Sequence, residues 1–164
     1  RFTDKMNATK HNWVIICSVD NVVVADALNS MIGLPDDMTV QVFTPNMSEA
    51  FYKVDNNKLA SMKFTYVSST YTDEKSEETK SFNKKYFNKN NTIPSDYAIK
   101  GFDVTYDVLM RLASGNTLKH TFKEGISFRV ENKFDYNNKP FGSTSNQGLF
   151  IVKYNYDLSL SRLR

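Results

Sequence analysis

One long helix, predicted over residues 94–115, constrains the fold more than any other stretch of the chain. Pro94 disfavours helical backbone in the residue before it, Ser95 is a good N-cap, and Gly115 offers a left-handed stop. The polar residues of the helix recur every three or four positions and so form one narrow stripe. The stripe comprises Asp96, Lys100, Asp103, Asp107, Arg111 and Ser114. All other positions are apolar or small, so we expect the stripe to face solvent and a sheet to cover the rest.

The composition is that of a globular domain. The 164 residues fit one domain, and 40% hydrophobic with 13% aromatic residues suffice for a packed core. Lys and Arg total 21 against 18 Asp and Glu, which gives a net charge of +3. Because this balance is nearly even and the basic residues are scattered, we predict no nucleic-acid partner and no membrane-surface binding.

The single cysteine and the N-terminal segment further limit the class of protein to which this chain can belong. Cys17 cannot form an internal disulfide, and it falls inside a predicted buried strand, which indicates a small apolar core residue. No apolar run approaches the roughly 20 residues of a membrane span, and no signal peptide is present. Since the chain begins with Arg1, we expect a piece of a longer protein, with residues 1–12 as a lead-in from a truncated upstream region.

Short apolar strands alternate with helices over residues 13–115. Strands are predicted over 13–18, 39–43 and 63–68, helices over 21–32, 55–62 and 74–89, and one helical turn over 46–51. This alternation is typical of an α/β fold with an open, mainly parallel sheet. We therefore predict three layers, with helices on both faces of the sheet.

The period of the pattern changes to two after the long helix. Apolar residues occupy the even positions 126, 128, 130, 134 and 136 of the segment 126–136, and the even positions from 150 to 160 of the segment 148–160. This alternation is typical of antiparallel strands with one covered face. A loop over 137–147, rich in Asn, Ser and Gly, joins the two segments. We predict an antiparallel hairpin over 126–160 at the end of a single α/β lobe that spans 13–164.

The residues that usually carry catalysis are sparse. His11 and His120 have no Cys or second His at ligand spacing, so both are interpreted as exposed loop residues. The acidic pairs at 36–37 and 77–78 are interpreted as a turn and the first turn of a helix. A flavodoxin-like enzyme would need a phosphate-binding loop after the first strand, and residues 18–21 contain no glycine. We predict no catalytic residues, no metal and no cofactor, and hence a protein that is not an enzyme.

Polar side chains follow the three predicted parallel strands. In open α/β sheets, ligands bind beyond the carboxyl ends of such strands. The candidate ligand-binding residues are Ser18, Asp20, Thr44, Ser68, Ser69 and Tyr71. Hydroxyl groups, a carboxylate and a ring can bond a polar solute and stack on it. The alternative stays open for each residue: capping alone explains Asp20, Thr44 can belong to a turn, and the segment 68–70 can be a solvated loop.

This pattern resembles the C-terminal lobe of type I periplasmic binding proteins, the leucine/isoleucine/valine-binding, amino-acid ABC-transporter receptor family. The resemblance covers roughly residues 12–160 and is sharpest in the two helices before the hairpin. The matching residues there are Phe82, Tyr86, Pro94, Tyr97, Ala98, Gly101, Phe102, Asp103 and Leu109. Phe102 stands where the family usually has Tyr. The chain is most similar to divergent Bacteroidetes members, some of which carry peptidoglycan-binding LysM modules upstream.

The resemblance implies a function as well as a fold. Members of this family bind a small solute between two lobes that close like a hinge. It implies that Ser18, Asp20, Ser68 and Tyr71 face the cleft, that the partners are a small polar solute and a second, N-terminal lobe, and that the location is periplasmic or at the cell envelope. The alternative is a cell-envelope scaffold or protein-interaction domain, associated with peptidoglycan, in which solute binding has been lost.

Overall fold

The computed structural model describes residues 2–32, 34–35, 38–115, 117–136 and 145–163. The strands are β1 (Asn12–Ile15), β2 (Val40–Thr44), β3 (Thr65–Ser68), β4 (Ser127–Phe128), β5 (Lys133–Phe134), β6 (Phe150–Tyr154) and β7 (Leu160–Leu163). The α-helices are α1 (Asn21–Ile32), α2 (Glu49–Tyr52), α3 (Asn56–Ser61), α4 (Glu77–Asn90), α5 (Asp96–Ser114) and α6 (Leu118–Thr121), with short 3₁₀ turns over Phe2–Lys5 and Phe122–Glu124. The chain forms two compact units: residues up to 68 with those from 151 onward, and residues 69–150.

The fold is mixed α/β with a mainly parallel five-stranded sheet in the order β1-β2-β3-β6-β7. The strands β1, β2 and β3 are adjacent and parallel, as predicted, with Val14 opposite Val42 and Phe43 opposite Thr65. The antiparallel pair β6–β7 completes the sheet. Because three parallel neighbours end at the same edge, the segments that follow them begin side by side.

The core of the first unit lies on one face of this sheet. Val42 of β2, Ile16 just after β1 and Phe64 just before β3 belong to it, and helices α1, α2 and α3 all contribute to the same cluster. Right-handed crossovers between strands that follow one another in order place their helices on one face, which accounts for this arrangement. Trp13 and Ile15 point the other way and are 56% and 63% exposed.

Cys17 corrects a prediction in this region. It was expected inside a buried strand, but β1 ends at Ile15 and the thiol is exposed. The alternation of side chains that buries Ile16 turns the next residue outward. The acidic pair at 36–37, interpreted as a turn, lies outside the described residues.

The second unit contains the long helix that was predicted. Ser95 caps α5, since its Oγ accepts a hydrogen bond from the Ala98 N–H at 3.3 Å. The left-handed stop expected at Gly115 is wrong, because this residue is extended, with φ −148°. Its small size is what the site requires, since a Cβ there would lie 2.5 Å from Thr121 Cγ2. The left-handed C-cap occurs instead at Asn91, which ends α4 with φ 53°.

The buried side of α5 is the reverse of the predicted one. Asp103 and Asp107 are fully buried and Arg111 is 4% exposed, whereas Tyr97 is 88% and Leu109 58% exposed. The expectation that the polar stripe faces solvent is therefore wrong for its central residues. The physical reason is that these side chains have hydrogen-bond and ion-pair partners within the unit, which removes the cost of burying them.

The C-terminal strands pair locally. The first predicted segment, 126–136, forms the antiparallel pair β4–β5 within itself. The second, 148–160, supplies β6, which pairs with β7 at and beyond its end rather than with the first segment. Between the two predicted segments there is the bridge of Tyr136 with Asn146, and the Gln147 N–H donates to the Asp135 carbonyl at 2.8 Å. Most of the predicted loop, residues 137–144, lies outside the described residues.

Candidate functional site

The carboxyl edge of β1–β3 in the first unit holds four of the predicted ligand-binding residues. Ser18 and Asp20 lie between β1 and α1, Thr44 is the last residue of β2, and Ser68 is the last residue of β3. The parallel order of the strands places these residues along one edge of the sheet. Thr44 is fully buried and Asp20 is exposed, so the four differ in what they present to solvent.

Asp20 caps helix α1. Its Oδ1 accepts hydrogen bonds from the N–H groups of Val22 and Val23, at 2.8 and 3.0 Å. The Oγ of Ser18 accepts the N–H of Asp20 at 3.1 Å. Both bonds to the carboxylate go to Oδ1, so Oδ2 accepts no hydrogen bond from the part of the chain that the structure describes. The helix cap therefore involves only one of the two carboxylate oxygens.

Thr44 joins the ends of two strands. Its hydroxyl lies 2.9 Å from the carbonyl oxygen of Ile16 and 3.0 Å from that of Asn46, and it is within 3.3 Å of the Asn46 N–H. With no exposed surface, this side chain presents no polar atom to a solute. Its position in the structure is that of a buried connection between β1 and the turn after β2.

Ser69 and Tyr71 belong to the second unit. Ser69 is exposed. The ring of Tyr71 lies 6.0 Å from that of Phe150, and its backbone N–H donates to the carbonyl of Glu131 at 2.9 Å. Tyr71 is therefore packed within this unit as well as following β3.

A buried carboxylate organises the second unit, and the sequence reasoning missed it. Oδ1 of Asp103 accepts the N–H of Val130 at 3.0 Å, and Oδ2 accepts the N–H groups of Glu131 and Asn132 at 2.9 and 3.0 Å. The side-chain amide of Asn132 adds a fourth bond at 2.9 Å. Burial, and then the charge of Asp103, raise the pKa of Glu131 above its usual range.

A second buried group lies one helical turn further along α5. Asp107 binds Arg111 at 2.8 Å and Arg129 at 2.9 Å, and it accepts the hydroxyl of Ser127 at 2.5 Å. Arg111 also donates to the carbonyl of Thr121 at 2.9 Å. One carboxylate thus forms ion pairs with two guanidinium groups, so the three side chains carry a net charge of about +1. One feature of the sequence could have indicated this buried cluster. The polar stripe of the helix is narrow, and two acids and an arginine lie four residues apart at its centre.

A groove in the second unit runs between α4, α5 and residues 128–130, and it encloses about 860 Å³. Aromatic rings and charged side chains line it. They are Phe82, Tyr86, Phe102, Tyr106 and Phe128, with Lys85, Lys89, Arg129, Glu77 and Glu78. A smaller pocket of about 500 Å³ in the first unit includes Thr39, Val40 and Lys63. This pocket lies at the amino ends of β2 and β3, opposite to the predicted site.

The comparisons with known proteins gave no match to a family model, to a curated protein or to a solved structure. Within the described ranges, no three His, Cys, Asp or Glu side chains are grouped so that they could hold a metal ion. None of the helices in those ranges is both long and apolar enough for a bilayer span.

Proposed function

We propose that this chain is a non-enzymatic binding module, one lobe of an extracytoplasmic receptor of the type I periplasmic-binding-protein kind. Its ligand is a small polar solute, such as an amino acid, which binds at the carboxyl edge of β1–β3 together with a second lobe. Asp20 is the observation that carries the proposal. Its side chain is exposed at the amino end of α1, and its Oδ2 has no donor among the described residues.

Ser18 and Asp20 together offer groups that match a zwitterion. The Ser18 Oγ accepts the N–H of Asp20, and its own proton can be donated to a carboxylate. The Oδ2 of Asp20 can accept a hydrogen bond from an ammonium group, and a bond between charged groups is about twice as strong as a neutral one. Ser68, at the end of the third parallel strand, lies on the same edge.

The proposal includes a third layer, made of helices on the outer face of the sheet, and a location of the protein at the cell envelope. Trp13 and Ile15 on the outer face of the sheet are more than half exposed, and a layer of helices on that face would bury them. The location is the periplasm or the cell envelope, where receptors of this kind meet their solutes.

A second candidate is a cell-envelope scaffold that binds another protein or peptidoglycan and no free solute. It is favoured by the exposed apolar side of α5, where Val104, Leu109 and Leu112 are 43%, 58% and 45% exposed. Exposed apolar side chains on one helix are typical of interaction sites when they form a patch.

Calorimetry of the full-length protein with a panel of amino acids and soluble cell-wall fragments separates the two candidates. The informative variant is Asp20→Asn, because Asn is as good an N-cap as Asp but lacks the charge. Asp55→Asn is the matched control, since Asp55 caps α3 through the Asn57 N–H at 2.8 Å.

The proposal predicts saturable binding of a zwitterionic solute by the wild type and by Asp55→Asn. Asp20→Asn should weaken it by about tenfold or more, the loss of one charged hydrogen bond. Binding to none of the solutes, or equal affinity in both variants, would contradict the proposed site. A flat response to every free solute would favour the scaffold.

A further inference from the structure

We propose that the groove between α4, α5 and residues 128–130 is a second binding site, for small molecules with a flat apolar body and a single carboxylate. This aromatic groove lies wholly within the second unit, and the solute site at Asp20 does not involve it. Its volume of about 860 Å³ is within the range of about 300–1,000 Å³ that small-molecule sites occupy.

The walls of the aromatic groove form a continuous row of rings. The Phe82 ring lies 4.6 Å from that of Phe102, and the Phe102 ring stacks on Tyr106 at 5.5 Å with 16° between the planes. Phe102 and Tyr106 are 41% and 43% exposed, so part of the surface of each side chain is open to solvent. A flat apolar molecule can pack against the open parts of these rings and remove their surface from water, which stabilises the complex.

The positions on α4 place positive charge along the same groove. Phe82, Lys85, Tyr86 and Lys89 are spaced at three or four residues and so share one face of the helix. Glu77, at the other end of α4, is paired with Lys80 at 2.8 Å. The lysines have no such partner among the described residues, so the charge available to a ligand on this stretch of α4 is positive.

Arg129 provides the more buried cation of the groove. It shares Asp107 with Arg111, so the three groups carry one positive charge in excess. Its guanidinium lies 5.1 Å from the centre of the Tyr106 ring, and its buried Nε has no acceptor among the described residues. Because Arg129 lines the groove and shares in this excess of positive charge, it favours an occupant that brings a negative oxygen.

These observations argue for an anion over the other possible occupants. An uncharged apolar molecule would leave the excess positive charge unmatched. Glu78 is the one acidic side chain of the groove lining that forms no ion pair among the described residues. A partner helix from another protein would cover the rings but would need acidic residues at matching positions. The carboxylated flat molecule uses both the rings and the cations.

The test is titration of the full chain with naphthoate and with naphthalenemethanol, its neutral analogue, followed by calorimetry. Lys85→Gln with Lys89→Gln removes the exposed cations without disturbing a buried contact. Lys84→Gln is the matched control, because Lys84 lies on α4 outside the groove lining. Tyr106→Leu removes one stacking ring, and Asp20→Asn checks that the two sites are separate.

We expect saturable naphthoate binding by the wild type, by Lys84→Gln and by Asp20→Asn. The double lysine variant should bind about tenfold more weakly, Tyr106→Leu several-fold more weakly, and the neutral analogue at least tenfold more weakly than naphthoate. No saturable binding, equal binding of the neutral analogue, or equal loss in Lys84→Gln would overturn the proposal. Loss of naphthoate binding in Asp20→Asn would overturn the separate site.

Discussion

On α5, the Oδ2 atom of Asp103 accepts both the backbone N–H and the side-chain amide of Asn132, at 3.0 and 2.9 Å. The same carboxylate accepts the N–H groups of Val130 and Glu131. Four bonds therefore attach the segment before β5 to the middle of the helix. Because the carboxylate is fully buried, these bonds replace the water that Asp103 would otherwise hold.

Glu131 beside this carboxylate predicts a dependence of stability on pH. Burial and then Asp103 raise its pKa, with a smaller contribution from Asp96, while the Asn132 amide and Lys100 lower it. The folded state thus binds this proton more tightly than the unfolded chain. Its stabilising effect is complete below the unfolded pKa and is lost as pH rises through the raised folded pKa. We expect Glu131→Gln to be more stable than wild type at neutral pH and less dependent on pH, measured by urea unfolding from about pH 4 to 8.

The control for this prediction is Glu74→Gln, which replaces an exposed glutamate of the same unit. It should leave the pH dependence of the free energy of unfolding unchanged. A Glu131→Gln protein that is less stable than wild type at neutral pH would show that the charged side chain stabilises the fold.

The buried ion pair on α5 predicts a large effect of removing one partner. Arg111→Met takes one cation from Asp107 and leaves the carbonyl of Thr121 without its donor. Asp107 keeps its pair with Arg129, so the cost comes from the buried acceptors that lose their donor, and we expect a loss of about 2–4 kcal/mol. The exposed pair of Glu77 and Lys80 on α4 is the comparison, since its side chains are 90% and 56% exposed.

Lys80→Met should therefore change the free energy of unfolding by about 0.5 kcal/mol or less, because exposed pairs contribute little. Both variants can be compared in the same urea titrations. Similar small effects in the two would mean that Arg111 is solvated in the native protein.

Thr44 predicts a structural effect at a position where the sequence suggested ligand contact. Thr44→Val keeps the shape but removes the hydroxyl that bridges Ile16 and Asn46, so we expect a loss of about 1–2 kcal/mol. Thr39→Val, at an exposed threonine one residue before β2, should change stability by about 0.5 kcal/mol or less. If Thr44→Val were as stable as the wild type but bound the solute more weakly, Thr44 would be a ligand-binding residue and not a structural one.

Hydrophobic pattern predicted much of the first unit. The bounds of α1 agree with the prediction, and the three short strands lie parallel and adjacent. These features depend on local signals, namely side-chain periodicity, capping residues and the order of strands and helices. The same signals placed the polar residues of the sheet edge, but they could not decide whether Asp20 caps a helix or binds a solute, since one carboxylate can do both.

The hydrophobic pattern gave a wrong prediction for the polar residues of α5, because their hydrogen-bond partners lie far along the chain. Polar residues of a helix are assigned to solvent because burying them is costly, but that cost disappears when partners are available. The partners of Asp103 come 27–29 residues later, in a segment whose sequence gives no sign of them. The pairing predicted for the C-terminal strands differs from the observed one for a related reason. Alternation of apolar and polar residues identifies a strand but does not select the strand with which it pairs.

The most direct test of the buried side of α5 uses two neighbouring residues that face opposite ways. Asp103 is fully buried and Val104 is 43% exposed. In urea unfolding, Asp103→Asn should lose about 2–4 kcal/mol, because the new amide faces N–H donors, and Val104→Thr should lose about 0.5 kcal/mol or less. A substantial loss in Val104→Thr with little change in Asp103→Asn would show that the apolar side of the helix is buried and that the polar stripe faces water.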